Sequence, residues 1–526
     1  MPSTVVIPST TPPASRVLLD KVHSILSVRT KDGDEQYLVR WKTDLPTLSP
    51  PLSWHSISEL ARCLEYVQDY LDERAKFIAT APALVHLAKK RKSPDDDGEI
   101  ERRPSPLERH LQQHDSRANS TSRSPSVSSA TASGPAKVPT IDIYNGIIDS
   151  QDGFIVARKA SSSTIHHINL QKIPTPSMLH TAQHSKIDKA ERLIRAEYVR
   201  RLEKVPGKRI YLVNLHDSTT PSLRFRFIST SILREGVTRV DPMAQVGCTK
   251  CSPHMGRDIG CEYTKKCDCL EYAAVDESRL SETEKIQLYD IRLNGGSTMG
   301  LPKKFPYYAE GTKVRREGTL VPFYANSRHP IYECNDKCGC GPRCRNKNVQ
   351  FGRRVELEIF KTASNRGWGL RCRQDLFEGQ FVDTYRGEII TDAEATRREN
   401  SASSKAKASY LYSLDKFAES EGLADEDVYV VDGEFMGGPS KFMNHSCEPN
   451  CRQYTVSYNK HDCRVYEIAF FAYRDIRAGE ELTFDYLDKE EEDDDGGIGE
   501  EEEEEPSEEA IPCLCGAKKC RRWLWT

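Results

Sequence analysis

Nine cysteines in two tight groups constrain this chain more than any other feature. The first group is Cys248, Cys251, Cys261, Cys267 and Cys269, spaced C-x2-C-x9-C-x5-C-x-C. The second is Cys334, Cys338, Cys340 and Cys344, spaced C-x3-C-x-C-x3-C. No histidine stands at ligand spacing in the second group, so thiolates would make every bond to a metal there. Tetrahedral zinc takes four ligands and accepts soft sulfur. Nine thiolates fill the coordination of three zinc ions if three of the sulfurs each bridge two metals. On spacing alone, two independent zinc fingers or a redox cysteine cluster remain as alternatives. In either zinc reading the metal is structural, because a thiolate-saturated zinc has no open position for chemistry. Residues 270–333 would loop out of such a cluster. Near the C-terminus, Cys513, Cys515 and Cys520 are one ligand short of a second site. Cys447 is the candidate fourth, and would staple the tail across the centre of the domain that contains it. Cys63, Cys372, Cys451 and Cys463 are left as ordinary thiols.

Clustered cysteines without a secretory pattern point to a reducing compartment, where metal binding is commoner than disulfides. The N-terminus shows no basic-then-apolar leader, and no apolar run approaches the roughly 18 residues of a membrane span. The expectation is therefore a nuclear or cytosolic protein with no membrane association. The net charge of −4 hides an asymmetry. Between Asp488 and Glu509 fifteen acidic residues face one lysine, a local charge of −14, so the remaining chain carries +10. A basic body with one acidic strip suits a chromatin protein and many others.

Composition divides the chain. Residues 1–15 are rich in Ser, Thr and Pro and read as a disordered tail. Residues 16–78 form a compact pattern: alternating apolar positions, a hairpin signal at Asp32-Gly33, a returning strand at Tyr37-Leu38-Val39-Arg40-Trp41, and a helix from Ser58 to Arg74 with Leu60, Leu64, Val67 and Leu71 on one face. Residues 89–140 cannot bury enough apolar surface to offset chain entropy and read as a linker. Lys89-Lys90-Arg91-Lys92 at its edge is either a nuclear-import signal or a solvated basic cluster. Residues 141–245 form a flank with an amphipathic helix over 183–204, and 246–346 hold the first cysteine cluster. A motif-bearing domain over 353–487, an acidic insert over 488–509 and a cysteine tail over 510–526 complete the chain.

Four motifs follow one another in that domain: Arg366-Gly367-Trp368-Gly369-Leu370, Tyr385-Arg386-Gly387-Glu388-Ile389-Ile390, Lys441-Phe442-Met443-Asn444-His445-Ser446-Cys447, and Leu482-Thr483-Phe484-Asp485-Tyr486. Together they resemble a SET domain with flanking pre-SET and post-SET zinc modules. With the cysteine pattern and the final Trp523-Leu524-Trp525, the chain resembles the suppressor-of-variegation 3-9 family over about residues 210–526. The resemblance implies a mainly β fold of small sheets with a threaded C-terminal segment. It implies transfer of methyl groups from S-adenosylmethionine to lysine 9 of histone H3, to the di- or trimethyl level, in heterochromatin. It assigns Tyr385 and Tyr486 to catalysis, and Tyr412, Phe484 and Trp525 to the lysine channel. Arg366, Gly367, Trp368, Gly369, Tyr410, Lys441, Asn444 and His445 fall to the cofactor. Three zinc ions belong to the pre-SET cluster and one to the post-SET site.

Three departures qualify this expectation. Lys441 stands where several close relatives carry arginine, keeping the charge and losing the planar fork. Tyr412 replaces a phenylalanine of the channel, and its hydroxyl would hinder the later methylations. The acidic strip reads as a solvated, disordered insert, as a recruiter of basic histone tails, or as a mild competitor with substrate; on the last reading deleting it raises turnover at low salt. Residues from about 18 to 75 resemble a chromodomain, carried by Tyr37-Leu38-Val39-Arg40-Trp41-Lys42 and Ser53-Trp54. Trp41 matches one wall of a methyl-lysine cage, while the other two walls fall near Asp20 and Asp44, so a degenerate fold kept for protein or nucleic-acid contacts stands as the alternative. Expected partners are the histone H3 tail or nucleosome, methylated lysine at that module, and other heterochromatin proteins. The competing functions are a catalytically weak SET scaffold, a methyltransferase for a non-histone lysine, and a zinc-cluster nucleic-acid binder. The last is disfavoured by the lack of interleaved basic and aromatic residues around the cysteines.

Overall fold

The computed structural model describes residues 22–42, 52–89, 146–151, 154–159, 182–241, 243, 246–249, 251, 268–309, 316, 318–341, 344–363, 366–400, 410–458, 462–488 and 511–525. The tail, the linker from residue 90 and the acidic insert beyond Asp488 lie outside them. The chain divides into two units, residues 1–193 and 194–526.

In the first unit, Asp32 and Gly33 both adopt positive φ, 53° and 82°, which two-residue hairpins require. They join strands Val22–Lys31 and Asp34–Trp41, and Leu52–Ser56 completes an antiparallel sheet. The sheet's apolar face packs Val22, Ile25, Val28, Tyr37 and Val39 with Ile57, Leu60 and Val67. The expected helix from Ser58 begins later, at Leu64, and runs to Lys89. Ser56 and Glu59 explain the delay. Glu59 Oε2 accepts the Ser56 amide at 3.0 Å and Ser56 Oγ accepts the Glu59 amide at 3.4 Å, closing a separate turn before the helix. The cage expectation also needs correction. Trp41 is only 1% exposed, with its ring perpendicular to His55, and presents no open wall. Trp54 is covered by the Arg29 guanidinium at 4.2 Å. Asp20 and Asp44 lie outside the described residues. The buried Glu35 carboxylate accepts the backbone amides of Lys189 and Ala190 at 2.7 and 3.0 Å, at the start of helix Asp188–Leu202.

The second unit is mainly β, built from small sheets of non-consecutive strands. Phe381–Tyr385, Glu467–Ala472, Cys451–Ser457 and Ile331–Tyr332 form one sheet in that order. Phe381–Tyr385 is buried along its whole length, the polar Asp383 and Thr384 included, so its sequence shows no apolar–polar alternation of a half-exposed strand. A second sheet orders Leu411–Ser413, Tyr429–Asp432, Glu388–Thr391 and Ile232–Leu233. A third sets Leu357–Lys361 antiparallel to Trp368–Cys372 and parallel to Ile210–Val213. Phe381, Tyr454, Val456, Ala469 and Phe471 meet Tyr307, Leu320 and Tyr324 in one hydrophobic core. Two residues, Asn444–His445, pair in parallel with Thr483–Phe484. This short pairing draws the late motif into the middle of the domain. Residues 270–333 carry a helix of their own, Glu282–Asn294, opened by a capping box between Ser281 and Glu284. Among the described residues no helix is long and apolar enough to cross a membrane.

Candidate active site

Four of the residues assigned to catalysis and the lysine channel form one aromatic wall. Tyr385 ends its strand with its ring centroid 6.1 Å from that of Tyr412 and 6.4 Å from that of Phe470. Phe484 lies 4.7 Å from Phe470 and 4.8 Å from Tyr486, centroid to centroid. Such tilted contacts suit the aromatic quadrupole. The Tyr385 hydroxyl donates to the Tyr410 carbonyl at 2.8 Å, and the Tyr486 hydroxyl donates to the Met443 carbonyl at 2.9 Å. A Cβ at Gly433 would come within 2.4 Å of the Tyr385 hydroxyl, so only glycine fits there. Burial, reinforced by neighbouring tyrosines, pushes Tyr385 and Tyr486 above the usual phenol range. Both are therefore neutral hydroxyls at physiological pH, unsuited to act as bases. Tyr412 is also pushed up, first by burial and then by Asp488. Trp525 pairs through its backbone with Ile511, and its side chain lies outside the described residues.

Beside this wall lie the residues assigned to the cofactor. Gly367 has φ of +76° and open space where a Cβ would stand, while the amide and hydroxyl of Thr362 hold its carbonyl at 2.9 and 3.0 Å. Trp368 and Gly369 follow on strand Trp368–Cys372. Asn444 donates to the Trp368 carbonyl at 3.3 Å and to Glu481 Oε1 at 2.7 Å. Arg366 donates to the other oxygen of Glu481 at 2.6 Å. His445 Nδ1 accepts the Tyr486 amide at 3.2 Å, and burial lowers the imidazole to about 4, so the ring is neutral. The Lys441 ammonium sits 4.3 Å from the centroid of Tyr410 and 4.5 Å from that of Phe225, and donates to the Glu434 carbonyl. Burial lowers Lys441 to about 8. Open space thus stands at Gly367, and Asn444 reaches the carbonyl of the next residue, Trp368, with His445 beside it in the chain.

The cysteines gather as their chemistry requires. The sulfurs of Cys447, Cys513, Cys515 and Cys520 lie within 4.8 Å of one another, a donor set that fits one tetrahedral zinc. In the other cluster Cys269 belongs to two groups, one with Cys248 and Cys251 and one with Cys334 and Cys340. A sulfur common to two groups is what a bridging thiolate needs. Cys338 Sγ stands 3.5 Å from Cys269 Sγ, and Cys344 Sγ is 3.9 Å from Cys334 Sγ. Cys261 and Cys267 lie outside the described residues. Cys63, Cys372 and Cys451 are buried thiols pushed up by desolvation, and Cys463 is half-buried.

Known proteins decide the family. The SET domain family matches residues 367–487 and the Pre-SET motif matches residues 202–347. An H3 lysine-9 specific histone-lysine N-methyltransferase of Fusarium mangiferae is 38% identical over 320 residues, covering 60% of this chain and 88% of the relative. Its counterpart in Neurospora crassa is 38% identical over 323 residues, with the same two coverages. The chain belongs to the SET-domain histone-lysine methyltransferases. Among solved structures, that of a Neurospora SET domain histone lysine methyltransferase is 34% identical, covers 55% of this chain and 97% of its own, and has a TM-score of 0.43.

Three residues of this methyltransferase escaped the sequence reading. Glu481 grips Arg366 and Asn444 at once. Its signal was the Gly479-Glu480-Glu481-Leu482 run entering the last motif. Arg521 donates to Asp485 Oδ1 at 2.5 Å, with its Nη2 3.5 Å from His445 Nε2, and so ties the cysteine tail to the SET core. Arg328 pairs with Asp488, and both charges lie in the field of Tyr412. No local pattern announced that pair.

Proposed function

We propose that this chain transfers methyl groups from S-adenosylmethionine to lysine 9 of histone H3, acting in the nucleus on heterochromatin. The observation that carries the reading is the aromatic wall of Tyr385, Tyr412, Phe484 and Tyr486 beside the Asn444–His445 cradle. The lysine-9 specificity of the two fungal relatives supports the choice of substrate. Bound in the cradle, S-adenosylmethionine would supply a methyl group on a cationic sulfur, held by Gly367, Trp368, Asn444 and His445, with Arg366, Tyr410 and Lys441 around it. The enzyme's own contribution is alignment and control of protonation. A lysine side chain has a reference pKa near 10.4, and only its neutral amine is a nucleophile. A low-polarity aromatic channel disfavours the ammonium form. The hydroxyl protons of Tyr385 and Tyr486 are already given to main-chain carbonyls. Their oxygens are left as acceptors for the N–H bonds of a neutral amine, which orients its lone pair. The cysteine groups hold zinc structurally, three ions in the pre-SET cluster and one at Cys447, Cys513, Cys515 and Cys520, the latter fixing the tail that carries Trp525.

Radiolabelled methyl transfer to H3 tail peptides bearing lysine or arginine at position nine tests the reading. Label on the lysine-nine peptide alone, reduced by about two orders of magnitude in Tyr486→Phe, is the expected result. Equal labelling of both peptides would refute the lysine-nine assignment. Donor binding without labelling of any histone peptide would favour a scaffold or a non-histone substrate.

A further inference from the structure

Away from the aromatic wall and the thiol clusters, residues 201–206 and 223–229 enclose a cleft of about 430 Å³. Four cations line it, Arg201, Lys204, Arg224 and Arg226, and no acidic residue does. Arg201 has a structural task. It donates to Glu197 Oε1 at 2.8 Å and to the Leu223 carbonyl, fastening the end of helix Asp188–Leu202 to the opposite wall. Lys204, Arg224 and Arg226 are exposed. Their backbone is held firmly. The Arg226 amide donates to the Phe435 carbonyl at 2.8 Å and the Ile228 amide to the Gly437 carbonyl at 3.0 Å. Between the two arginines Phe225 is buried, edge-on to Phe227 at 5.0 Å and to Phe442 at 5.8 Å. A cleft lined by charges of one sign concentrates field lines and raises the local concentration of an anionic partner.

We infer that this cleft binds the phosphate backbone of duplex DNA and so holds the enzyme on the nucleosome whose tail it modifies. The inference rests on the histone reading above. Cations on two separate chain segments suit successive phosphates of a polymer better than one small anion. A histone tail, itself basic, would be repelled. Phe225 forms the floor of the cleft and carries the Lys441 ammonium 4.5 Å from its ring centroid. None of Tyr385, Tyr412, Phe484 and Tyr486 lines the cleft, so DNA there would leave the aromatic wall free for lysine.

The test uses the full chain and a fluorescent 30-base-pair duplex, with affinity read between 50 and 200 mM salt. An Arg224→Ala/Arg226→Ala double variant is expected to bind about tenfold more weakly and to flatten the log–log salt slope by about 2, as loss of two phosphate contacts predicts. Lys204→Ala, on the other wall, should flatten it by about 1. KM for nucleosomes rises with the loss of affinity, while kcat/KM for the H3 peptide stays within twofold. That peptide arm also separates the two readings: an enzyme that binds duplex through the cleft but labels no histone peptide loses its proposed substrate and keeps its DNA site. Unchanged duplex affinity and slope in both variants, with melting temperatures equal to wild type, would overturn the inference. So would tighter binding of single-stranded RNA of equal length than of duplex, or competition by millimolar inorganic phosphate as effective as that by DNA.

Discussion

At the scale of single residues, the site is governed by where hydroxyls and charges stop being free. Tyr412 adds an oxygen to a channel in which Phe484 has none, and that oxygen lies in the field of the Arg328–Asp488 pair. A hydroxyl able to hold a partly methylated amine by a hydrogen bond slows its next turn in the channel. Tyr412→Phe is therefore expected to raise the trimethyl share of product severalfold at equal turnover of the first methylation, read by mass spectrometry of the peptide. A product distribution identical to wild type would remove Tyr412 from control of methylation degree. Lys441 makes a pH-dependent prediction. Burial lowers it to about 8 in the folded protein, below the roughly 10.4 of an unfolded lysine. The unfolded state then binds more protons between those values, so stability rises with pH through that window, and the cost is fully present below about pH 8. Relative to Lys441→Met, wild type should gain stability in urea titrations between pH 8 and 10.5. Parallel curves would show that Lys441 keeps an ordinary pKa.

Between elements, the cradle depends on contacts made over long stretches of chain. Glu481 reaches Arg366 across 115 residues and Asn444 across 37. Glu481→Gln keeps the shape and removes the charge from both contacts. Hydrogen bonds to charged groups contribute about 1.5–3 kcal/mol, so a rise of at least tenfold in KM for the methyl donor is expected, with kcat nearly unchanged. An unaltered KM would mean that Asn444 is held by the Trp368 carbonyl alone. This distance in sequence also explains what could be read beforehand. Tyr385, Asn444, His445, Phe484 and Tyr486 lie in short motifs whose residue types point to their chemistry, and Cys447 was reachable by counting ligands. Glu481, Arg521 and Arg328 look like ordinary surface charges until the fold brings their partners to them. The same limit applied to the helix beginning at Leu64: its apolar spacing was visible, whereas the competing Ser56–Glu59 turn depends on side-chain hydrogen bonds that periodicity does not report.

At the scale of the whole molecule, the thiol clusters add metal-dependent cross-links to the apolar core shared by the small sheets. Zinc bound only by the folded state contributes its binding energy to folding. Elemental analysis is expected to find four zinc ions per chain, and chelation to abolish methyl transfer while lowering the melting temperature. Partial chelation should remove the exposed post-SET ion first. Cys513, Cys515 and Cys520 are half-buried, whereas Cys248, Cys251, Cys269 and Cys334 are buried. Activity would then be lost before stability. Loss of stability with activity retained would contradict that order.

The parallel pairing of Asn444–His445 with Thr483–Phe484, and the meeting of Cys447 with a cysteine 66 residues further on, also has a consequence in time. A ribosome adding about 5–20 residues per second leaves a gap of about 3 to 13 seconds between making Cys447 and making Cys513. Throughout that interval the nascent chain carries a lone thiol, and until Phe484 and Tyr486 are made it also carries an unpaired strand and an unfinished aromatic wall. Transient exposure of these groups during translation is thus built into the topology, and slow codons upstream of the tail would lengthen it without altering a single amino acid.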